Sequence, residues 1–126
     1  MQGRSMLETC SKAFNNQQMT LLLKKFEFYH LPVIHGACCG IMGIDIKSTF
    51  TTFLYSTLRT TIASAIRLDK VGPIEAQIIQ TELQKRIPDV IDRYKDKSTD
   101  DVCVVFPIMD IIQNAHDNMF AKLFYS

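Results

Sequence analysis

The chain has 126 residues and a formal net charge of +1, a length that suits one domain able to bury roughly two thirds of its unfolded surface. Its acidic and basic residues are mixed along the chain, so no basic stripe with interleaved aromatics offers itself to a nucleic acid. The longest apolar stretch, Phe50 to Leu68, is threaded with Thr, Ser and Arg59, which would be costly in lipid, and no basic-then-apolar secretory pattern opens the sequence. A cytoplasmic setting with the four cysteines reduced is therefore expected.

Taken in order, Met6, Leu7, Cys10, Ala13 and Phe14 mark a short first helix with one apolar face. Asn15-Asn16 is a break and a cap. From Gln17, the apolar positions Met19, Leu21, Leu22, Leu23, Phe26 and Phe28 predict a second helix, with Lys24 and Lys25 outward. Pro32 is expected to end it, because a residue before proline is pushed out of helical geometry. In the segment His35 to Gly43, Gly36 and Gly40 stand four apart and would share a helix face. A face without side chains lets another helix come close. That closeness would offset the roughly 1 kcal/mol that each glycine costs a helix relative to alanine.

The central helix is predicted from Ser48, as N-cap, to Leu68. Phe50, Phe53, Leu54, Leu58, Ile62, Ala65 and Ile66 recur at steps of three and four and build one apolar stripe. Gly72 ends that register, and Pro73 opens a new helix at its first position, where its missing N–H costs nothing. Two helices joined by so short a turn must lie against each other. Ile74, Ile78, Ile79, Leu83 and Ile87 form one side of the new helix, and Pro88 kinks or restarts it ahead of Val90, Ile91 and Tyr94. Residues 95–101 are a charged connector. Val102 to Met109 is either extended or a helix start, and Ile108 to Phe124 regains helical spacing. The fold class is all-α, a single domain over residues 1–126 with about five or six helices.

Chemistry-bearing residues are few. His35, Cys38 and Cys39 could present imidazole and thiolate to a soft metal ion from one helix. The set falls short of the four ligands of a structural zinc site, so buried apolar cysteines are the competing reading. No nucleophile, base and orienting group are spaced for catalysis, so no enzyme activity and no cofactor are expected. Arg59 and Arg67 stand on an otherwise apolar helix. Either they snorkel to solvent or they anchor a partner, since arginine is enriched at interface hot spots.

Three segments together resemble the UreF family of urease accessory proteins. The first is His35-Gly36-Ala37-Cys38-Cys39-Gly40-Ile41-Met42-Gly43. The second is Ala65-Ile66-Arg67-Leu68 with Gly72-Pro73-Ile74-Glu75-Ala76-Gln77. The third is Pro107-Ile108-Met109-Asp110, then His116-Asp117, then Phe120-Ala121-Lys122-Leu123-Phe124-Tyr125-Ser126. Lys122 stands where the family usually has arginine, which keeps the charge and loses the bidentate fork. The resemblance implies the C-terminal part of the family's helical fold, without its N-terminal helices. It also implies a non-catalytic, dimeric chaperone that binds UreD/UreH and the GTPase UreG while nickel is delivered to apo-urease. The partner-binding positions it implies at the C-terminal end are Asp110, His116, Leu123, Phe124 and Ser126. Phe120, Leu123 and Phe124 make that end apolar, which agrees with a docking role.

Overall fold

The computed structural model describes residues 2–101. Six α-helices follow one another: α1 (Gln2–Ala13), α2 (Gln17–Lys25), α3 (Leu31–Ile41), α4 (Ile46–Arg67), α5 (Pro73–Gln84) and α6 (Ile87–Tyr94). A single 3-10 turn closes the described residues at Thr99–Asp101. The all-helical class expected from the periodicity is the one adopted, with no strand among the described residues. The chain divides into two compact units, Met1–Lys95 and Asp96–Ser126.

In the first unit, α1 to α3 close on one small core. Asn15 takes a left-handed φ of 46°, a conformation that asparagine tolerates better than most residues, and so reverses the chain after α1. Asn16 then caps α2, its side-chain oxygen accepting from the backbone N–H of Gln18 and of Met19 at 2.9 and 3.2 Å. Leu7 of α1, Met19 of α2, and Ile34 and Cys38 of α3 meet with no exposed surface at all. Burying each of the three large aliphatic side chains contributes about 1.5–3 kcal/mol. Met6, Cys10, Leu22, Leu23, Phe26, Tyr29 and Ile41 pack around them.

The second helix is shorter than its apolar positions suggest. It stops at Lys25, and residues from Phe26 to His30 run extended into α3. Phe26 and Phe28 therefore lie outside it. Tertiary contacts outweigh the periodicity here: the Tyr29 hydroxyl donates to the Leu23 carbonyl at 2.7 Å, and the Phe26 and Tyr29 rings meet edge to face. Pro32 does not terminate α2 but sits in the first turn of α3, where a missing N–H is harmless.

Helix α4 begins before Ser48. Asp45 is its N-cap, and a carboxylate oxygen accepts from the Ser48 N–H at 2.9 Å. Hydrogen bonding from Ser48 holds this carboxyl below its ordinary range. A carboxylate three residues upstream thus takes the role expected of Ser48. Along α4, the hydroxyls of Thr57, Thr60, Thr61 and Ser64 donate to carbonyls four residues back, which satisfies a polar face that would otherwise compete with the helix. Leu68 caps its C-terminus and Asp69 turns the chain with a φ of 53°. Gly72 then precedes α5, with Pro73 as its first residue, as the sequence predicts.

Helices α5 and α6 both pack on α4, with Ile62, Ala76 and Ile91 buried, one from each helix. Pro88 restarts the helix, since α6 begins one residue earlier. In the second unit, Asp101 accepts from the Ser98 N–H at 2.8 Å and pairs with Lys97 at 3.3 Å. Residues from Val102 onward, and the helix start or extended run expected there, lie outside the described residues.

The glycine on which the α1–α3 core depends is Gly3, to which the sequence assigned no packing role. A Cβ there would strike the carbonyl of Tyr29, so α1 crosses the extended segment at backbone distance. Backbone cannot swing aside as a side-chain tip can. Gly3→Ala should therefore lower stability by about 1–3 kcal/mol, read from the urea midpoint with the slope unchanged. An unchanged midpoint would show that the segment shifts at no cost.

Candidate partner-binding surface

Among the described residues, fifteen large hydrophobic side chains are exposed while only eight hydrophobic residues are buried, so the apolar surface left over is the prominent feature of the first unit. Part of it lies where α3 meets α4. Pro32, Gly36 and Gly40 on one side and Ile44, Ile46, Phe50 and Phe53 on the other enclose a groove of about 400 Å³. Ile46 is 68% exposed and Phe50 39%, so the rim opens to solvent. Phe50 and Phe53 also border a second apolar hollow, completed by Leu54, Val90, Ile91 and Tyr94.

The glycines of α3 behave otherwise than the sequence suggests. They share a helix face as predicted, but a Cβ built at Gly36 or Gly40 meets no atom within 4 Å. No neighbour among the described residues uses the space they leave. Helix α5 departs from expectation in the same direction. It packs on α4 through Ala76, and Gln80 donates to the Tyr55 hydroxyl at 3.3 Å, while Ile74 and Ile78 are 79% and 61% exposed.

The three residues considered for metal binding separate. His35 and Cys39, one turn apart on α3, do meet, with Nε2 3.6 Å from Sγ. The same Nε2 lies 3.3 Å from the Thr49 carbonyl and 3.2 Å from the Thr52 hydroxyl. A carbonyl can only accept, so the Nε2–H tautomer satisfies that contact and ties α3 to α4. The Phe53 ring packs on the imidazole at 5.4 Å between centroids. Cys38 instead enters the core with Leu7, Met19 and Ile34. Burial pushes its thiol up to about 11, and the neighbouring Cys10 adds to the shift. Among the described residues no three His, Cys, Asp or Glu side chains gather.

Arg59 and Arg67 are both exposed on α4. Asp110, His116, Phe120, Leu123, Phe124 and Ser126 lie outside the described residues. The groove residues Ile44, Ile46 and Phe50 were not singled out as a site. Their signal was faint, three apolar residues spaced among Asp45, Lys47, Ser48 and Thr49. No helix among the described residues is long and apolar enough to cross a membrane.

Comparison with known proteins gives a consistent result. The UreF family model matches residues 1–84. The chain is similar to urease accessory protein F of Oryza sativa subsp. japonica, with 28% identity over 129 residues, covering 98% of this chain and 49% of that protein. It is 30% identical over 99 residues to urease accessory protein F of Arabidopsis thaliana, covering 79% and 41% of the two chains. Urease accessory protein UreF of Trichodesmium erythraeum is 28% identical over 127 residues, covering 97% and 54%. The chain thus spans about half the length of the curated relatives it matches. No solved structure matches it.

The raised Cys38 thiol has a consequence for stability. Between the ordinary value of 9.0 and about 11, the unfolded chain gives up this proton while the folded chain keeps it. The folded state then binds more protons, so stability is full below pH 9 and falls as pH rises through that window. The urea midpoint should drop between pH 9 and 11, and should drop less steeply in Cys38→Ala. Equal slopes in the two proteins would place the thiol outside the core.

Proposed function

The chain belongs to the UreF family, and on that premise we propose that it serves urease maturation as a non-catalytic scaffold in the cytoplasm. Its partners in this reading are UreD/UreH, the GTPase UreG and apo-urease, and it works as a homodimer. Nickel is cargo passing through the assembly, not a resident cofactor. The mechanism is positioning: one surface holds UreD/UreH, and another presents UreG so that GTP hydrolysis is coupled to metal transfer.

The observation that carries this reading is the imbalance of apolar surface. A chain that leaves Ile46, Phe50, Ile74 and Ile78 in water has more apolar area than its own core consumes, and that excess marks interaction sites. The named relatives supply the direction, since they are urease accessory proteins. The C-terminal positions Asp110, His116, Phe120, Leu123, Phe124 and Ser126 are assigned to UreD/UreH, and Arg59 and Arg67 on α4 to the dimer or to UreG. Exposed arginine on a long helix is suited to that task because its planar fork pairs with carboxylates in two parallel hydrogen bonds.

The tail assignment is tested by Phe124→Asp. Loss of an aromatic anchor is expected to weaken capture of UreD/UreH by roughly thirtyfold or more, with the far-ultraviolet circular dichroism unchanged. A pull-down with undiminished capture would remove the tail from the interface. The double variant Arg59→Ala with Arg67→Ala should lose either the dimer mass by light scattering or the recruitment of UreG. If both survive, the α4 arginines belong to neither interface.

A further inference from the structure

Cys10 and Cys38 stand on two helices packed side by side in a fixed register. Gly3, near the start of α1, lies against the backbone of Tyr29 and His30, just ahead of α3. Leu7, one turn on, is buried in one cluster with Ile34 and Cys38. Cys10 is three residues beyond Leu7 and Cys38 four beyond Ile34, so each shares the inward face of its own helix. Cys10 packs against that cluster, and its thiol and that of Cys38 are neighbours close enough to hydrogen-bond. Cys39, the next residue of α3, turns the other way, to His35. Cys10 and Cys38 are both free thiols, the first half-buried and the second with no exposed surface.

We propose that Cys10 and Cys38 form a reversible disulfide that staples α1 to α3 when a low-molecular-weight disulfide is in excess over its thiol. Entry is at Cys10, whose exposure lets its thiolate meet the oxidant. That thiolate attacks one sulfur of the small disulfide. The S–S bond of the oxidant breaks, the departing thiolate takes up the proton that Cys10 gave, and a mixed disulfide is left on Cys10. Cys38 then attacks the Cys10 sulfur, the mixed S–S bond breaks, and the second small thiolate leaves with the Cys38 proton. Two electrons pass from the two protein thiols to the small disulfide, which ends as two small thiols. Cys38 suits the second step alone, because burial keeps it from the oxidant and holds its proton up to about 11, while its neighbour on α1 delivers the sulfur to it. An excess of small thiol runs both steps backwards, which fits a bond that is transient in a reducing compartment. The bond crosses the contact at which Leu7, Ile34 and Cys38 pin the two helices, and it removes freedom from the unfolded chain between positions 10 and 38. The proposal does not draw on the role in urease maturation, so failure of either leaves the other standing.

The full chain is incubated with glutathione disulfide, digested with trypsin without reductant and mapped by mass spectrometry. Lys12, Lys24 and Lys25 let trypsin part Cys10 from Cys38, whereas Cys38 and Cys39 stay in one peptide. A linked pair of peptides is expected, lighter than the two free peptides by two hydrogen atoms. The link should persist in Cys39→Ala and in Cys103→Ser and vanish in Cys10→Ser. The oxidised chain should unfold at a higher urea concentration than the reduced one, and dithiothreitol should return it to the reduced midpoint. A link that stabilises the fold is stabilised by it in equal measure. The native chain should therefore keep the link in a glutathione buffer roughly tenfold or more less oxidising than the urea-unfolded chain requires. A stable glutathione adduct on Cys10 with no link overturns the proposal, as does a link that disappears in Cys39→Ala or one that joins two chains. An oxidised chain with a lower urea midpoint also overturns it, because the native helices then resist the bond.

Discussion

The constraint behind the whole first unit is how few side chains its helices bury together. Leu7, Met19, Ile34 and Cys38 pin α1, α2 and α3 to one another. Beyond them, α4, α5 and α6 each contribute a single buried hydrophobic residue, Ile62, Ala76 and Ile91. Helix α4 is 22 residues long and spans about 33 Å at 1.5 Å per residue, yet His35 and a few contacts at its N-terminal end join it to α3. Helical stability comes mostly from tertiary packing of an apolar face. When a long helix has apolar residues at seven stripe positions and buries one of them, the stripe is built for more neighbours than the described residues supply.

What the sequence made legible was punctuation. The break at Asn15-Asn16, the restart at Pro73 after Gly72 and the second restart at Pro88 all stand where backbone chemistry put them. Each rests on local physics: a left-handed turn, a side-chain cap, a missing donor at a helix start. Legibility failed where a distant contact decided the outcome. Phe26 and Phe28 keep the helical period but leave the helix because Tyr29 ties back to Leu23. Gly3 looks like any terminal glycine until the Tyr29 carbonyl lies against it. The start of α4 moved from Ser48 to Asp45 because both residues are good caps and only the structure shows which side chain reaches the free amide.

The candidate site shows the same division between direction and distance. Helical spacing correctly places His35 and Cys39 side by side, since residues four apart share a face. It says nothing of which face turns inward. Cys38 is rotated by about 100° from Cys39, and that rotation suffices to carry it from the α4 side into the α1–α2 core. The trio read as one chemical group is in fact a hydrogen-bonded link between helices beside a buried thiol. The apolar stripes of α4 and α5 carry the same ambiguity. Their periods identify the helices, whereas Ile74 and Ile78 turn outward because Ala76, the smallest residue available, lets α5 approach α4 closely.

That outward turn bears on how the proposed scaffold would work. A helix pair held by small residues leaves its large ones on the far side, which makes the pair a two-faced plate. One face is thin and joins the chain to itself; the other is apolar and faces whatever comes next. The glycine face of α3 follows the same logic with the sizes reversed, since there the space, not the side chain, is offered. Apolar knobs on α5 and an apolar recess at α3–α4 lie on one chain without either filling the other. Filling one site leaves the other open, so separate surfaces can be occupied at once, which is what an assembly platform requires and an active site does not.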